Sequence, residues 1–274
     1  MASIEFGIIQ MTSGPVPEHN LAFIEQQVKA LAEKGVKWIL TPENAVVFGN
    51  KYDYHQFAEY FADGAMQFSL ANIAKQYRVN LILGSFPVRR SDTEVTTTTL
   101  VFDENGHCDY QYDKLHMFDV DVADDHKRYR ESETFTAGNS ISLIPTDFGA
   151  IGLSICYDLR FPHLYTTLRA HGANVIVVPA AFTAMTGKAH WEVLLRARAI
   201  ENQCWIVAAN QTGTHPCGRE TWGHSMIISP WGEVHASLDT KPGHLAAQLN
   251  FNVVDELRHN MPVAKHIRFE QNLR

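Results

Sequence analysis

Two hydrophobic periods alternate along the whole chain, and that alternation restricts the fold more than any other feature of the sequence. Residues 4–11 form an apolar run of strand length, and Leu21, Ile24, Val28 and Leu31 follow at helical spacing until Gly35 stops them. Residues 37–40 read as a second strand ending at Thr41-Pro42-Glu43. Leu70, Ile73, Ala74 and Tyr77 mark another helix, residues 80–86 another strand, and residues 96–102 and 108–112 a hairpin around Asp103-Glu104-Asn105-Gly106. The rhythm continues with a strand at 150–155, a helix at 162–170, a strand at 174–179, a helix at 188–202 and a strand at 204–210. A hairpin at 226–229 and 233–237, a strand at 245–251 and a helix at 253–259 complete it. Such a chain is expected to be α/β, with sheets covered by helices. No linker, low-complexity stretch or short repeat interrupts the pattern, so one domain over residues 1–274 is expected rather than two.

Composition narrows the function classes. Apolar residues make up 45% and charged residues 19%, which excludes disordered, collagenous and coiled-coil chains. The net charge of −7 includes no basic run, which argues against nucleic acid or an anionic membrane as partner. No apolar run approaches the length of a membrane span, and the first residues lack the features of a signal peptide. The four cysteines, Cys108, Cys156, Cys204 and Cys217, include no C-x-x-C pair; neither a disulfide scaffold nor a zinc site of common spacing is expected. A cytoplasmic, reducing setting is the default expectation, in which free thiols are available for chemistry.

Several motifs fail on inspection. Gly152-Leu-Ser154-Ile-Cys156 approaches the serine-hydrolase elbow but lacks its last glycine, so Ser154 reads as a buried strand hydroxyl. Asp119-Val-Asp121-Val-Ala123 starts like a calcium loop but lacks the later ligand and the glycine, and reads as a polar loop. His190-Trp-Glu192 does not have metalloprotease spacing, and no phosphate-binding glycine motif occurs. Cys156 is different. It lies where a strand turns towards a helix, at the carboxyl edge of the expected sheet, where open α/β sheets place ligands and where the next backbone N–H groups can receive an oxyanion. The residues alone leave two readings of Cys156 open, a nucleophile or a small buried hydrophobe. Glu43 and Lys114 each stand just past a strand end. Taken singly, each also fits an ordinary surface carboxylate or lysine.

Together the three are more specific. Pro42-Glu43, then Asp113-Lys114-Leu-His116, then Cys156-Tyr-Asp-Leu-Arg160-Phe-Pro162 resembles the nitrilase superfamily of carbon–nitrogen hydrolases, as do residues 186–192, 195–201, 222–225 and 230–232. The resemblance covers essentially the whole chain. It implies a four-layer α-β-β-α sandwich that assembles as a homo-oligomer, a dimer or larger. It implies a catalytic set of Glu43, Lys114 and Cys156, and Glu131 as a second glutamate; Asp124, Asp125 and Glu133 are close enough in sequence to compete for that place. The mechanism expected from the resemblance has Cys156 attacking an amide carbon while Glu43 takes its proton, Lys114 and the backbone N–H of Tyr157 offsetting the oxyanion, Glu43 protonating the leaving ammonia, and the thioester then being hydrolysed. Neither metal nor organic cofactor is expected, and the expected partner is a small-molecule amide.

Within the superfamily, residues 114–121, 130–132 and 186–191 resemble the small amidases for deaminated glutathione and for ω-amides of keto acids, and residues 194–204, 208–213 and 223–226 look most like the branch acting on deaminated glutathione. The 2-oxo-acid ω-amidases and the N-carbamoyl amino acid hydrolases are the alternatives. Asn44-Ala-Val-Val-Phe48-Gly49 lacks the tyrosine usual in the ω-amidases, and Asp124-Asp125-His126-Lys127 replaces a usual Pro-Gly turn at the rim. The resemblance makes Arg160 and Thr186 candidates for holding the substrate's keto-acid carboxylate. Arg160 could instead pair with a nearby Asp or Glu, and Thr186 could instead be a loop hydroxyl that caps the next helix. From another class, a catalytically silent binding member would keep the fold, but the intact Glu43, Lys114 and Cys156 argue against it. A thiol protease would need a histidine base, and His163 has no such motif around it.

Overall fold

In a computed structural model, which describes residues 3–124 and 127–269, the two periodicities sort onto two stacked sheets. The first half of the chain runs β1 (Ser3–Gln10), α1 (Pro17–Ala32), β2 (Trp38–Leu40), α2 (Lys51–Gln56), β3 (Glu59–Tyr60), α3 (Ala65–Tyr77), β4 (Asn80–Arg89), β5 (Val95–Phe102) and β6 (Cys108–Asp113). A small hairpin of β7 (Asp119–Asp121) and β8 (Arg128–Arg130) follows. The second half runs β9 (Leu143–Thr146), β10 (Gly149–Leu153), α4 (Pro162–Ala170), β11 (Ala173–Ala180), α5 (Ala184–Asn202), β12 (Trp205–Asn210), β13 (Thr212–Thr214), β14 (Glu220–Trp222), β15 (Met226–Ile228), β16 (Val234–Ser237), β17 (Gly243–Asn250) and α6 (Asn252–Asn260).

One sheet has the order β17-β1-β2-β4-β5-β6, with β3 beside β4; the other has the order β16-β15-β12-β11-β10-β9. Helices α1 and α3 cover the first, α4 and α5 cover the second, and the bare faces meet through β1 on β12 and β4 on β11. This is the four-layer α-β-β-α sandwich. Strand β1 shows why the pattern folds this way. Phe6 and Ile8 point to the cluster between the sheets, while Ile9 joins the cluster under α1 and α3. Gly7 shares the helix side, where a Cβ would lie 3.0 Å from Leu31 Cδ1. Burying a side chain such as Phe6 or Ile8 is worth about 1.5–3 kcal/mol.

The parallel strands position the site. β1, β2 and β4 run parallel in one sheet, and β10, β11 and β12 in the other, with the chain leaving β2 and β10 at Thr41 and Ser154. Two expectations need correction, and one element was not expected at all. Residues 119–121 form strand β7, not a loop, because Asp119 and Asp121 pair across to Arg130 and Arg128 in backbone register. Helix α5 begins at Ala184, earlier than residue 188, because the Thr183 hydroxyl accepts the Thr186 N–H at 3.3 Å and caps it. Helix α2 escapes the periodicity altogether. It is one short segment, held by an Asn50–Asp53 capping box rather than by an apolar stripe.

Candidate active site

Glu43 is placed by the close approach of two backbones. After β2 the Thr41 hydroxyl accepts the Gly84 N–H at 2.9 Å, and a Cβ on Gly84 would lie 2.3 Å from the Thr41 carbonyl oxygen. The next turn is closed by the Asn44 N–H donating to Ser85 Oγ at 2.8 Å and by Gln211 Nε2 donating to the Glu43 carbonyl at 2.9 Å. Lys114 leaves β6 with its backbone tied to Thr97 and Gly138 at 3.1 and 2.8 Å. Its side chain is 1% exposed, and Nζ donates to Glu43 Oε1 at 2.7 Å and to both Glu131 oxygens at 2.8 Å. Glu131 also accepts the Phe118 N–H at 2.6 Å. Of the competing carboxylates among the described residues, Glu131 is the one that meets Lys114. Glu133 pairs with Arg128 at 3.0 Å and Asp124 accepts from the Tyr129 hydroxyl at 2.9 Å, while Asp125 and His126 lie outside the described residues.

Cys156 begins a tight 3-10 turn, Cys156–Arg160, directly beyond β10. Its φ of 47° is in the left-handed region, where a residue with a Cβ is strained unless its surroundings hold it. Asp158 provides that hold. Fully buried, it accepts from the Ile155 N–H at 2.9 Å, the Tyr112 hydroxyl at 2.7 Å, and the His116 N–H and ring at 3.1 and 2.7 Å. Tyr157, next in the turn, carries the expected oxyanion N–H one residue from the thiol. Asp158 was not singled out from sequence, although it stands within the Cys156-Tyr-Asp-Leu-Arg160 motif. An aspartate two residues after the candidate cysteine was the available signal.

The electrostatics favour a neutral thiol beside a fixed cation. Burial pushes the Cys156 thiol well above its ordinary range; the Glu43 carboxylate adds to this and Lys114 opposes it. Burial alone would lower Lys114, but Glu131 and Glu43 outweigh it and hold the ammonium charged well above its usual range. Burial also raises Glu131, with Lys114 pulling the other way. Glu43 lines the same cavity as the thiol and acts on it electrostatically, so a base stands near the group that must give up its proton.

These groups line a cavity of about 340 Å³, which also includes Arg160, Thr186 and Arg219. Arg160 has no carboxylate within 4 Å among the described residues; its guanidinium meets His190 Nδ1 at 3.3 Å and lies over the Phe182 ring at 5.3 Å. Thr186 belongs to the first turn of α5, not to a loop, and its hydroxyl lies 2.9 Å from that of Thr183, which does the capping. Ser154 is fully buried and bonded to Tyr165 and Val177 at 2.9 and 2.8 Å, away from the cavity. No cluster of three or more His, Cys, Asp or Glu side chains that could hold a metal ion occurs among the described residues. Arg219 was missed from sequence, since nothing local marks an arginine in a turn between two short strands.

A layered α-β-β-α fold with a buried cysteine, lysine and glutamate at its strand ends defines a hydrolase class, and the chain belongs to the carbon-nitrogen hydrolase family, whose model matches residues 6–259. It is 44% identical to the deaminated glutathione amidase of Yersinia enterocolitica, over 100% of this chain and 96% of that one. It is 34% identical to the omega-amidase NIT2 of Xenopus tropicalis, over 98% and 97%. The crystal structure of the Caenorhabditis elegans NitFhit protein superposes with a TM-score of 0.90 at 37% identity; it covers 98% of this chain, which spans 66% of that longer one.

Proposed function

We propose that the protein is a thioester-forming amidase whose substrate is deaminated glutathione, with Cys156 as nucleophile, Glu43 as general base and acid, and Lys114 with the Tyr157 N–H as oxyanion donors. The observation that carries this reading is the Lys114 ammonium, buried at 2.7 Å from Glu43 and 2.8 Å from Glu131 beside a strained cysteine. Cys156 sulfur bonds to the amide carbon as its proton passes to Glu43. The carbonyl oxygen takes up negative charge against Lys114 and the Tyr157 N–H. Glu43 returns the proton to the leaving nitrogen, the carbon–nitrogen bond breaks, and a thioester remains. Water, losing a proton to Glu43, attacks the thioester carbon; the carbon–sulfur bond breaks, the thiol is restored with that proton, and the carboxylic acid leaves and gives its own proton to solvent, where the released amine takes one up. Glu131 acts through Lys114, holding its ammonium in place.

Glutathione whose amino group has become a keto group contains no primary amide. Its scissile bond joins a 2-oxoglutaryl group to cysteinylglycine, so the expectation of a terminal carboxamide releasing ammonia is corrected for this substrate: the leaving group is that dipeptide's amine, and ammonia leaves only from an ω-carboxamide. Arg160 and Thr186 hold the 2-oxo-acid carboxylate in this reading. Support comes from the 44% identical amidase relative and from an arginine at the cavity wall that has no carboxylate partner among the described residues. Phe48 offers no substitute for the missing ω-amidase tyrosine: it is fully buried and stacked on His215 at 3.8 Å. On the same reading residues 1–274 are one catalytic domain, working in the cytoplasm as a homo-oligomer, without metal or organic cofactor and without nucleic acid.

Comparing kcat/KM for deaminated glutathione, α-ketoglutaramate, an N-carbamoyl amino acid and a simple nitrile tests the proposal, with Cys156→Ala as control. Deaminated glutathione is expected to lead. A tenfold preference for α-ketoglutaramate, about 1.4 kcal/mol in transition-state binding, would move the protein to the ω-amidases. Equal rates for wild type and Cys156→Ala would remove the enzymatic reading.

A further inference from the structure

Most cations at the cavity are already satisfied. Lys114 pairs with two glutamates, Arg128 with Glu133, Arg130 with Asp121, and Lys51 donates to the Glu133 carbonyl. Arg219, like Arg160, has no carboxylate within 4 Å among the described residues. Its guanidinium lies over two rings, Phe48 at 4.9 Å and Tyr129 at 5.2 Å, and its Nε is buried with no hydrogen-bond partner. The Tyr129 hydroxyl is within hydrogen-bonding reach of the guanidinium, so what stays open for a planar anion is the edge that carries the unpartnered Nε. An unmatched buried donor is costly, and a carboxylate arriving at that edge would relieve the cost.

The two arginines stand on different walls. Arg160 shares the Cys156 turn and lies against Tyr157, Phe182 and His190. Arg219 lies on Phe48, in the segment that starts at Glu43, and both Arg219 and Glu43 act electrostatically on the buried Tyr54 hydroxyl. Glu43 is the group that protonates the departing nitrogen, so the leaving half of the substrate extends along the Arg219 wall. We propose that Arg219 is a specificity residue that binds a carboxylate on the leaving-group side of the scissile amide. The cavity is then built for a small amide with an anion at each end, such as a 2-oxo acid joined to a short peptide with a free C-terminus. This rests on the amidase reading above.

Three substrates test it: 2-oxoglutaryl-cysteinylglycine, the same compound with a C-terminal carboxamide, and α-ketoglutaramate. Wild-type kcat/KM is expected to fall about ten- to a hundredfold when the C-terminal carboxylate becomes a carboxamide, the usual worth of a charge-assisted bond. Arg219→Gln is expected to lose a similar factor on the carboxylate substrate, mainly through KM, and to bring the carboxylate-to-carboxamide ratio towards one. Arg219→Lys restores part of that ratio. Equal loss on all three substrates would make Arg219 structural, and a wild type indifferent to the C-terminal carboxylate would overturn the assignment outright. If wild type hydrolyses none of the three, the amidase reading fails and the Arg219 role fails with it.

Discussion

At the scale of residues, the site works by keeping unlike charges close and dry. Lys114 is the pivot: two carboxylates within 2.8 Å keep it charged, and that fixed charge is what an oxyanion needs. The thiol beside it is pushed the other way, first by burial and then by Glu43, so Cys156 stays protonated in the resting enzyme until a substrate is in place. A free cysteine ionises near pH 8.5 and its alkylation accelerates through that point. Iodoacetamide labelling of Cys156, followed by peptide mass mapping, is therefore expected to show no inflection between pH 7 and about 9. The exposed Cys217 serves as an internal reference for reagent access. A Cys156 profile that rises through pH 8.5 would contradict the neutral thiol. Glu43, Lys114 and Cys156 were legible in sequence because each sits at a strand end in a specific motif. Asp158 and Arg219 were not, because their importance lies in partners distant in the chain, Tyr112 and His116 for one and Phe48 and Tyr129 for the other.

At the scale of elements, activity depends on how closely strands approach. Gly84 in β4 has Thr41 O, Pro42 O and Pro179 Cβ within 2.4 Å of where a Cβ would stand, so three segments meet at one missing side chain. Two of the three obstacles are backbone and cannot turn aside. Gly84→Ala is expected to cost roughly 1–3 kcal/mol in a urea titration and to lower kcat about a hundredfold, because the Thr41–Glu43 exit from β2 must shift. Unchanged kcat would show that Glu43 is not placed by this contact. Long elements were readable because their apolar residues repeat: the expected helix at 162–170 and strand at 80–86 coincide with α4 and the body of β4. Elements fixed by capping and pairing were not. Helix α2 depends on Asn50 and Asp53, and β7 is a strand only because β8 lies beside it.

At the scale of the whole molecule, the site is a joint between the two sheets, and polar bonds across that joint carry stability with them. His215 bridges the halves: its ring meets the Ser13 carbonyl and Thr221 hydroxyl at 2.8 Å each, and burial lowers its pKa to about 4. An unfolded histidine titrates near 6.5, so below that pH the unfolded chain binds the extra proton and folding stability falls until about pH 4. Denaturant titrations at pH 7 and pH 5 are expected to differ by about 2 kcal/mol from this group, and His215→Gln should flatten that difference. An unaltered slope in the variant would remove His215 as its source. The layered architecture was legible from the strand–helix rhythm together with the family resemblance, but the stacking of one sheet on the other, and hence the walls of the cavity, depends on contacts that no local pattern encodes. The central claim is that amide cleavage passes through a thioester on Cys156. Rapid acid quench during turnover of deaminated glutathione, with mass mapping of wild type and Cys156→Ala, tests it most directly. Wild type is expected to show a 2-oxoglutaryl mass on the Cys156 peptide and Cys156→Ala no turnover; product formation by Cys156→Ala at the wild-type rate would rule out the thioester route.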